Sequence, residues 1–246
     1  MSRLRVAPPS GSGSASGQGD CWSVVSTVLP VVKSALLHGL IGSGKSTTGA
    51  NLASRQNAAL SIVVCTSDLP VAEIRGHYVL QGQEFRWKDG PVVTRFREGG
   101  VLLLEEIDQA PGEVWTFLMA VLDDPSWATL HLPTNEVVPR HPQLRVVATM
   151  NGDPDTLPEA LVSRFEAVIR IDRPHPDAVA SLPADLRNAA QGSRGFPSDV
   201  SLRHWKHFAA LREMVGEEVA ARAAFPDHHV QSVLDALRVS RVRTGG

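Results

Sequence analysis

The chain has 246 residues, of which 43% are hydrophobic, 20% charged and 5% aromatic. This is the composition of a globular protein that can bury a core without disulfides or metal. The formal net charge of -2 disfavours a dedicated nucleic-acid-binding or membrane-surface protein. Two cysteines cannot form a disulfide framework, and no apolar run reaches the roughly 20 residues of a membrane span, so we expect a cytoplasmic protein.

The first predicted elements follow a leader rich in proline, glycine and serine. Residues 1–21 have little to bury, and we expect them to be flexible. The apolar segment from Trp22 to Val32 predicts a helix that Pro30 limits. Residues 35–37 then predict a short buried strand that ends at a glycine-rich turn.

Runs typical of strands alternate with runs typical of helices over the following segment. The predicted helices are residues 45–56, 112–122 and 158–165, and the predicted strands are residues 59–65, 101–104, 144–149 and 167–171. This alternation predicts an α/β fold with a mostly parallel sheet covered by helices on both faces.

The strands stop at the proline-rich segment 173–176. Beyond it the pattern predicts helices at residues 177–190, 201–215, 217–224 and 229–239. We therefore expect an α/β nucleotide-binding domain over residues 22–174 and a small all-α lid over residues 175–246.

Residues 39–46, GLIGSGKS, match the phosphate-binding pattern G-x-x-x-x-G-K-[ST] at every fixed position, between a strand and a helix. Glycines let backbone N–H groups turn toward phosphate oxygens, and the next helix points its positive end at them. We expect Lys45 to reach the β- and γ-phosphates and Ser46 to bind Mg²⁺. The alternative is a glycine-rich turn without a ligand. The predicted nucleotide contacts are Gly39, Ile41, Gly42, Ser43, Gly44, Lys45, Ser46 and Thr47.

Polar residues that follow later strands suit catalysis of phosphate release. Glu105 and Glu106 end the strand at residues 101–104, where one carboxylate can position Mg²⁺ and the next can polarise water. Asn151 follows another strand, where it either holds the attacking water or starts a turn. Arg164 and Arg203 suit the charge that develops on a γ-phosphate. A solvated acidic pair remains the alternative for the two glutamates.

This set of motifs resembles the AAA+ ATPases, and within them the MoxR-like group with its CbbQ/NorQ-type activators. The chain is also similar to the cobaltochelatase small ATPase subunit. The segments that carry the resemblance are residues 37–47, 99–111, 141–151 and 157–165. The resemblance implies the following roles: Walker A for Lys45 and Ser46, Walker B for Glu105 and Glu106, sensor 1 for Asn151, an arginine finger for Arg164 and sensor 2 for Arg203.

The chain departs from the family pattern around Walker B. The usual Asp-Glu pair is Glu105-Glu106 here, with a first acid that is one methylene longer. We expect Mg²⁺ binding, which often runs through water, to survive this change. Asp108 and Gln109 stand where the family usually has Asn-Arg.

The resemblance implies an ATP- and Mg²⁺-dependent ATPase that assembles as a homo-oligomeric ring, a hexamer, and acts as a chaperone or activator on a partner protein. That partner would be a protein substrate or a protein with a von Willebrand factor A domain. From the charge balance and the apolar runs we expect no membrane partner and disfavour nucleic acid. Two alternatives remain from the residues: an ATP-gated scaffold with little hydrolysis, and a P-loop small-molecule kinase.

Two predicted hairpins, residues 77–87 and 128–139, resemble inserts that face the central channel of MoxR-type rings. Tyr78, Phe85 and Trp87 then either contact a substrate polypeptide or cover the surface of their own domain.

His204 and His207 lie three positions apart on a predicted helix. We expect them to be packed or exposed to solvent and not to bind a metal, since a third metal ligand is missing nearby.

Overall fold

The computed structural model describes residues 20–191 and 200–244. The predicted flexible leader lies outside the described residues up to position 19. The chain divides into two compact units, which we name the α/β unit and the helical unit. The α/β unit contains the described residues up to Gly39 and Lys45–Arg170, and the helical unit contains Leu40–Gly44 and the described residues from Ile171 onward. The boundary expected at residue 174 stays a prediction.

The strands and helices follow one another in chain order. The strands are β1 Ser34–Gly39, β2 Leu60–Val64, β3 Gly76–Gln81, β4 Glu84–Asp89, β5 Gly100–Glu105, β6 Thr129–His131, β7 Val137–Pro139, β8 Leu144–Thr149 and β9 Ala167–Ile171. The helices are α1 Cys21–Val28, α2 Lys45–Arg55, α3 Val71–Arg75, α4 Pro91–Glu98, α5 Gly112–Val121, α6 Glu159–Val162, α7 Pro176–Ala180, α8 Ala184–Gln191, α9 Leu202–Val215, α10 Glu217–Ala224 and α11 Asp227–Thr244.

The main sheet has five strands in the order β2-β5-β8-β1-β9. The pairs β2-β5, β5-β8 and β1-β8 are parallel, with Leu104 opposite Ala148 and Leu37 opposite Thr149. The predicted α/β fold with a parallel sheet is therefore confirmed. In such a sheet the carboxyl ends of the strands share one edge. Gly39, Glu105 and the residues after Thr149 therefore lie at that edge.

Each face of the sheet is covered by helices of the α/β unit. On one face, Leu102, Leu104 and Val146 join a buried cluster with Phe96 of α4 and Leu118 of α5. On the other face α2 packs very closely, because a Cβ added at Gly49 would lie 2.7 Å from Leu103 Cδ1. The glycine in the middle of α2 therefore permits the close approach of helix and strand.

Both predicted hairpins are confirmed as antiparallel pairs, β3-β4 and β6-β7. The helices α3 and α4, which lie on either side of the first hairpin, were not predicted from the sequence. The run Val92-Val93-Thr94 did not indicate the helix α4, because β-branched residues have a low helix propensity. Pro91 in its first turn is nevertheless a favoured helix start. The buried spacing of Val92, Val93 and Phe96 shows the helical face.

The helical unit is packed around aromatic side chains. Trp205, Phe208 and Phe225 lie together, with ring centroids 5.1 Å apart for Trp205 and Phe225. Arg212 of α9 forms an ion pair with Asp185 of α8. These contacts tie α8, α9 and the residue after α10 into one core.

One helix expected in this unit was predicted wrongly. Residues 177–190 form two helices, α7 and α8, rather than one. The break falls at Pro183, which has no N–H to donate within a helix, and its carbonyl accepts from Leu186 and Arg187 at the start of α8. Within residues 20–191 and 200–244, no helix has the length and apolar character needed to cross a membrane.

Candidate nucleotide-binding site

The loop between β1 and α2 has the backbone that a phosphate-binding loop requires. Three of its glycines have positive φ angles, 112° at Gly39, 65° at Gly42 and 104° at Gly44. L-residues that have a side chain rarely adopt these backbone angles. The loop can therefore turn successive N–H groups to one side, which is how such loops hold anions.

Lys45 is buried at the start of α2, with 6% of its surface exposed. Its ammonium donates to the Gly39 carbonyl at 3.1 Å and to Asn151 Oδ1 at 3.3 Å. Burial lowers the pKa of Lys45 to about 8, while the charges of Asp108 and Glu106 act in the opposite direction. The structure thus brings together the predicted Walker A lysine and the predicted sensor 1 amide, which lie 106 positions apart.

Glu106 lies in an uncommon backbone conformation directly after β5. Its φ of 55° and ψ of 47° are left-handed, a region that costs a residue with a Cβ about 1–2 kcal/mol. The side chain is exposed, and its charge acts on Lys45. Strain of this kind is often found where a fold fixes the direction of a functional side chain.

Glu105 is half-buried at the end of β5 and shares a sheet face with Leu103, since side chains alternate along a strand. Leu103 faces Gly49 of α2. Glu105 therefore lies on the face covered by α2, whose first turn contains the half-buried Ser46.

Asp108, in the turn after β5, is a site residue whose role sequence reasoning missed. Its charge has the largest favourable effect on the ammonium form of Lys45, ahead of that of Glu106. One of its carboxylate oxygens, Oδ2, accepts from Gln109 at 2.7 Å. The other, Oδ1, is buried and has no hydrogen-bond partner within the described part of the chain. An acid in the turn after the predicted Walker B strand was the available signal, because ligands of open α/β sheets bind at the carboxyl ends of the strands.

The other predicted loop contacts differ in exposure. Ile41 and Thr47 are exposed, whereas Ser43 is 1% exposed, and its hydroxyl finds no partner among the residues the structure describes. A buried hydroxyl without a partner is unfavourable unless a ligand satisfies it. The Ser43 hydroxyl therefore suits an oxygen-rich anion such as a nucleotide phosphate.

His38, the residue before Gly39, also belongs to this site and was missed by sequence reasoning. It is 8% exposed, and its Nδ1 lies 3.2 Å from the carbonyl oxygen of Gly152. Nothing in the local pattern marks this histidine, because its contact depends on the adjacency of β1 and β8.

The two predicted arginines lie in different units. In the α/β unit Arg164 is half-buried and donates to the Ala160 carbonyl at 2.9 Å. Its Nε is buried and has no partner among the described residues. In the helical unit Arg203 is exposed in the first turn of α9. The N-cap of α9, Ser201, lies against the loop residue Gly42 within the same unit.

His204 has a local structural role in the helical unit. Its Nδ1 accepts from the Ser201 backbone N–H at 2.9 Å, while the Ser201 side chain accepts from the His204 backbone. The two residues therefore form a capping box at the start of α9. No cluster of three metal-binding side chains occurs in the described residues 20–191 and 200–244.

Comparison with known proteins identifies the family. The AAA domain of the dynein-related subfamily matches residues 34–165, more than half of the chain. The protein belongs to this AAA family. The expected resemblance to MoxR-like AAA+ ATPases is confirmed by this match together with a similarity to NorQ.

The NorQ protein of Paracoccus denitrificans is 33% identical to this AAA domain protein over 145 residues, covering 57% of this chain and 53% of NorQ. An uncharacterised protein of Staphylococcus saprophyticus is 34% identical over 154 residues, covering 59% of this chain and 58% of that protein. This chain therefore aligns with little more than half the length of these relatives.

Solved structures share the fold of this AAA protein at low sequence identity. A candidate ATPase from Cytophaga hutchinsonii has a TM-score of 0.51 and 20% identity, covering 73% of this chain and 53% of that one. NtrX from Brucella abortus has a TM-score of 0.58 and 17% identity, covering 85% and 54%. The AAA family is one of nucleotide-hydrolysing ATPases. The roles of individual residues in this chain stay predictions.

Proposed function

We propose that this AAA protein binds and hydrolyses ATP, and that it works as a ring-forming activator that remodels a partner protein. The observation that carries the proposal is the buried Lys45 ammonium, held between the Gly39 carbonyl and Asn151 Oδ1. The carboxylates of Glu106 and Asp108 act on the same charge. A cation, an amide and acids at one strand edge are the groups that hydrolysis of a phosphoanhydride needs.

In this proposal the loop amides and Lys45 bind the β- and γ-phosphates and neutralise their charge. Glu106 orients water for attack on the γ-phosphate, and Asn151 holds that water or the phosphate in place. Lys45 would exchange its present hydrogen-bond acceptors for phosphate oxygens, which offer a stronger, charge-assisted bond.

The residues suited to Mg²⁺ are Ser46 and Glu105. Hydroxyl and carboxylate oxygens are the ligands that Mg²⁺ accepts, with phosphate and water completing its shell. Their placement, at the first turn of α2 and on the strand face that α2 covers, fits that role. Bound with ATP, Mg²⁺ would neutralise negative charge on the phosphate oxygens.

The ring is proposed from Arg164. Arg164 is half-buried, so part of its side chain faces outward, and guanidinium groups suit the charge of a γ-phosphate. We propose that Arg164 completes the site of a neighbouring subunit. ATPase activity per subunit should then rise with protein concentration.

The partner surface is proposed on the β3-β4 hairpin. Tyr78 and Leu80 pair with Trp87 and Phe85 across the two strands, so these four side chains share one face. Trp87 is half-buried and packs against the core, whereas Phe85 is 73% exposed. Phe85 and Leu80 thus offer an apolar surface, and we propose that a substrate polypeptide, or a partner with a von Willebrand factor A domain, binds it.

The test of hydrolysis is phosphate release from Mg·ATP over a range of protein concentrations. We expect turnover that rises with concentration in the wild type, about 10³-fold or more loss in Arg164→Ala, and ATP binding without turnover in Glu106→Gln. Turnover independent of concentration would contradict the shared site. Assembly with ATP but no phosphate release would support a scaffold, and transfer of phosphate to a nucleoside would support a kinase.

The test of the partner role uses Glu106→Gln with ATP to trap and identify bound proteins. We expect Phe85→Ser to lose that partner and Gln83→Ser, a polar exchange at the tip of the same hairpin, to retain it. Equal retention by both variants would contradict binding through the hairpin face.

A further inference from the structure

The contacts around Lys45 form a closed circuit that passes through His38. Lys45 donates to Asn151 Oδ1 and to the Gly39 carbonyl. The residue before Gly39, His38, contacts the carbonyl oxygen of Gly152 at 3.2 Å. Gly152 directly follows Asn151, so the circuit returns to its starting point. An antiparallel bridge between Gly39 and Gly152 crosses it.

The direction of the His38 hydrogen bond follows from its partner. A carbonyl oxygen can only accept, so the Nδ1 of His38 carries the proton. Burial lowers the pKa of His38, and the nearby charges of Lys45 and Arg170 lower it further, while Gly152 and Asp153 oppose them. The lowered pKa favours the neutral imidazole, and the contact directs its Nδ1–H at the Gly152 carbonyl.

Gly152, the residue after Asn151, is held by polar contacts and not by packing, while Asp153 after it caps a short turn by accepting from Asp155 and Thr156. Gly152 has a φ of 77° and is exposed, and a Cβ at this position would meet no atom within 4 Å. Side-chain packing therefore cannot fix Gly152. Its described fixed contacts are polar: the bond from His38 and the bridge to Gly39.

We propose that His38 is a positioning residue for ATP hydrolysis, whose Nδ1–H holds the Gly152 carbonyl and thereby fixes the position of the Asn151 amide, which meets Lys45 in the nucleotide-free protein. This inference rests on the proposed function, since it assigns a role within the same site. His38 itself touches neither ATP nor water in this role. It acts through Asn151.

Three substitutions separate a hydrogen-bonding role from a packing role. His38→Asn places an N–H on an atom bonded to Cγ, the same branch position that Nδ1 occupies in histidine. His38→Leu has nearly the shape of asparagine but no donor. His38→Gln keeps an amide but moves its donor one bond further from the backbone.

The kinetic test compares kcat and KM for ATP in these variants. We expect His38→Leu and His38→Gln to lower kcat about tenfold, the size of one hydrogen bond, with KM changed less than about twofold because the phosphate loop is intact. His38→Asn should restore kcat to within about threefold of the wild type. A His38→Leu enzyme as active as His38→Asn would overturn the proposal.

The second readout does not depend on hydrolysis. Amide hydrogen exchange of residues 150–153 is measured by mass spectrometry in the nucleotide-free protein, with melting temperatures recorded for each variant. We expect about tenfold faster exchange in His38→Leu and wild-type exchange in His38→Asn. Equal exchange in the three proteins would overturn the proposal. Should the wild type hydrolyse no ATP, the proposed function would fail, and exchange would still decide what His38 holds. Should His38→Leu not fold, His38→Gln takes its place in both measurements.

Discussion

The pKa of Lys45 predicts how nucleotide binding depends on pH. With a pKa of about 8 in the nucleotide-free protein, Lys45 is about 90% protonated at pH 7 and about 10% protonated at pH 9. In the proposed function ATP binds the ammonium form, because phosphates raise the pKa of a lysine beside them. At pH 9 Lys45 must therefore take up a proton before ATP binds.

The expected cost is about tenfold in Kd between pH 7 and pH 9, or about 1.4 kcal/mol. The fall in affinity should be centred near pH 8, and it should disappear in Lys45→Arg, because guanidinium stays charged across this range. Asp108→Asn removes the carboxylate that most favours charged Lys45, so its fall should begin at a lower pH than in the wild type.

Titration with a fluorescent ATP analogue at fixed ionic strength measures these constants. Circular dichroism at each pH confirms that the protein remains folded. A Kd that changes less than about twofold from pH 7 to pH 9, or an equal change in Lys45→Arg, would refute the reasoning.

Two further predictions concern stability, measured by urea unfolding. Glu106→Gly should raise the free energy of unfolding by up to about 1 kcal/mol, since the left-handed strain exceeds the entropic cost of glycine. Glu106→Gln is the control and should leave the free energy of unfolding unchanged. A Glu106→Gly protein less stable than the wild type would contradict the presence of strain at this position. Gly49→Ala should lower the free energy of unfolding by about 1 kcal/mol, because the new Cβ meets buried Leu103 at 2.7 Å and the overpacking cost of about 1–3 kcal/mol exceeds the gain of about 0.5–1 kcal/mol from replacing glycine inside a helix. Gly112→Ala is the control, since a Cβ there meets no atom within 4 Å; equal effects at both glycines would show that the close packing is unimportant.

The sequence predicted the sheet strands well where apolar runs were bounded by polar residues or glycine. β8 and β9 have the predicted bounds, Leu144–Thr149 and Ala167–Ile171, because buried parallel strands are short, nearly continuous apolar runs. The prediction failed at Pro183, where one expected helix is two. It also omitted α3 and α4, because each helix is too short for its apolar spacing to be distinguished from that of a loop.

By itself the sequence determined the local features of this protein: a glycine-rich loop between a strand and a helix, acids after one strand and an amide after another. These are short-range patterns, fixed by what each backbone segment can adopt and bury. Only the tertiary structure decided which of them meet. Lys45 and Asn151 are 106 positions apart and His38 and Gly152 are 114 apart, and their contacts exist because β1 lies beside β8. Strand order is set by the packing of the whole core. The contact of His38 with Gly152 and the nearness of Asp108 to Lys45 could therefore not be found from any single segment.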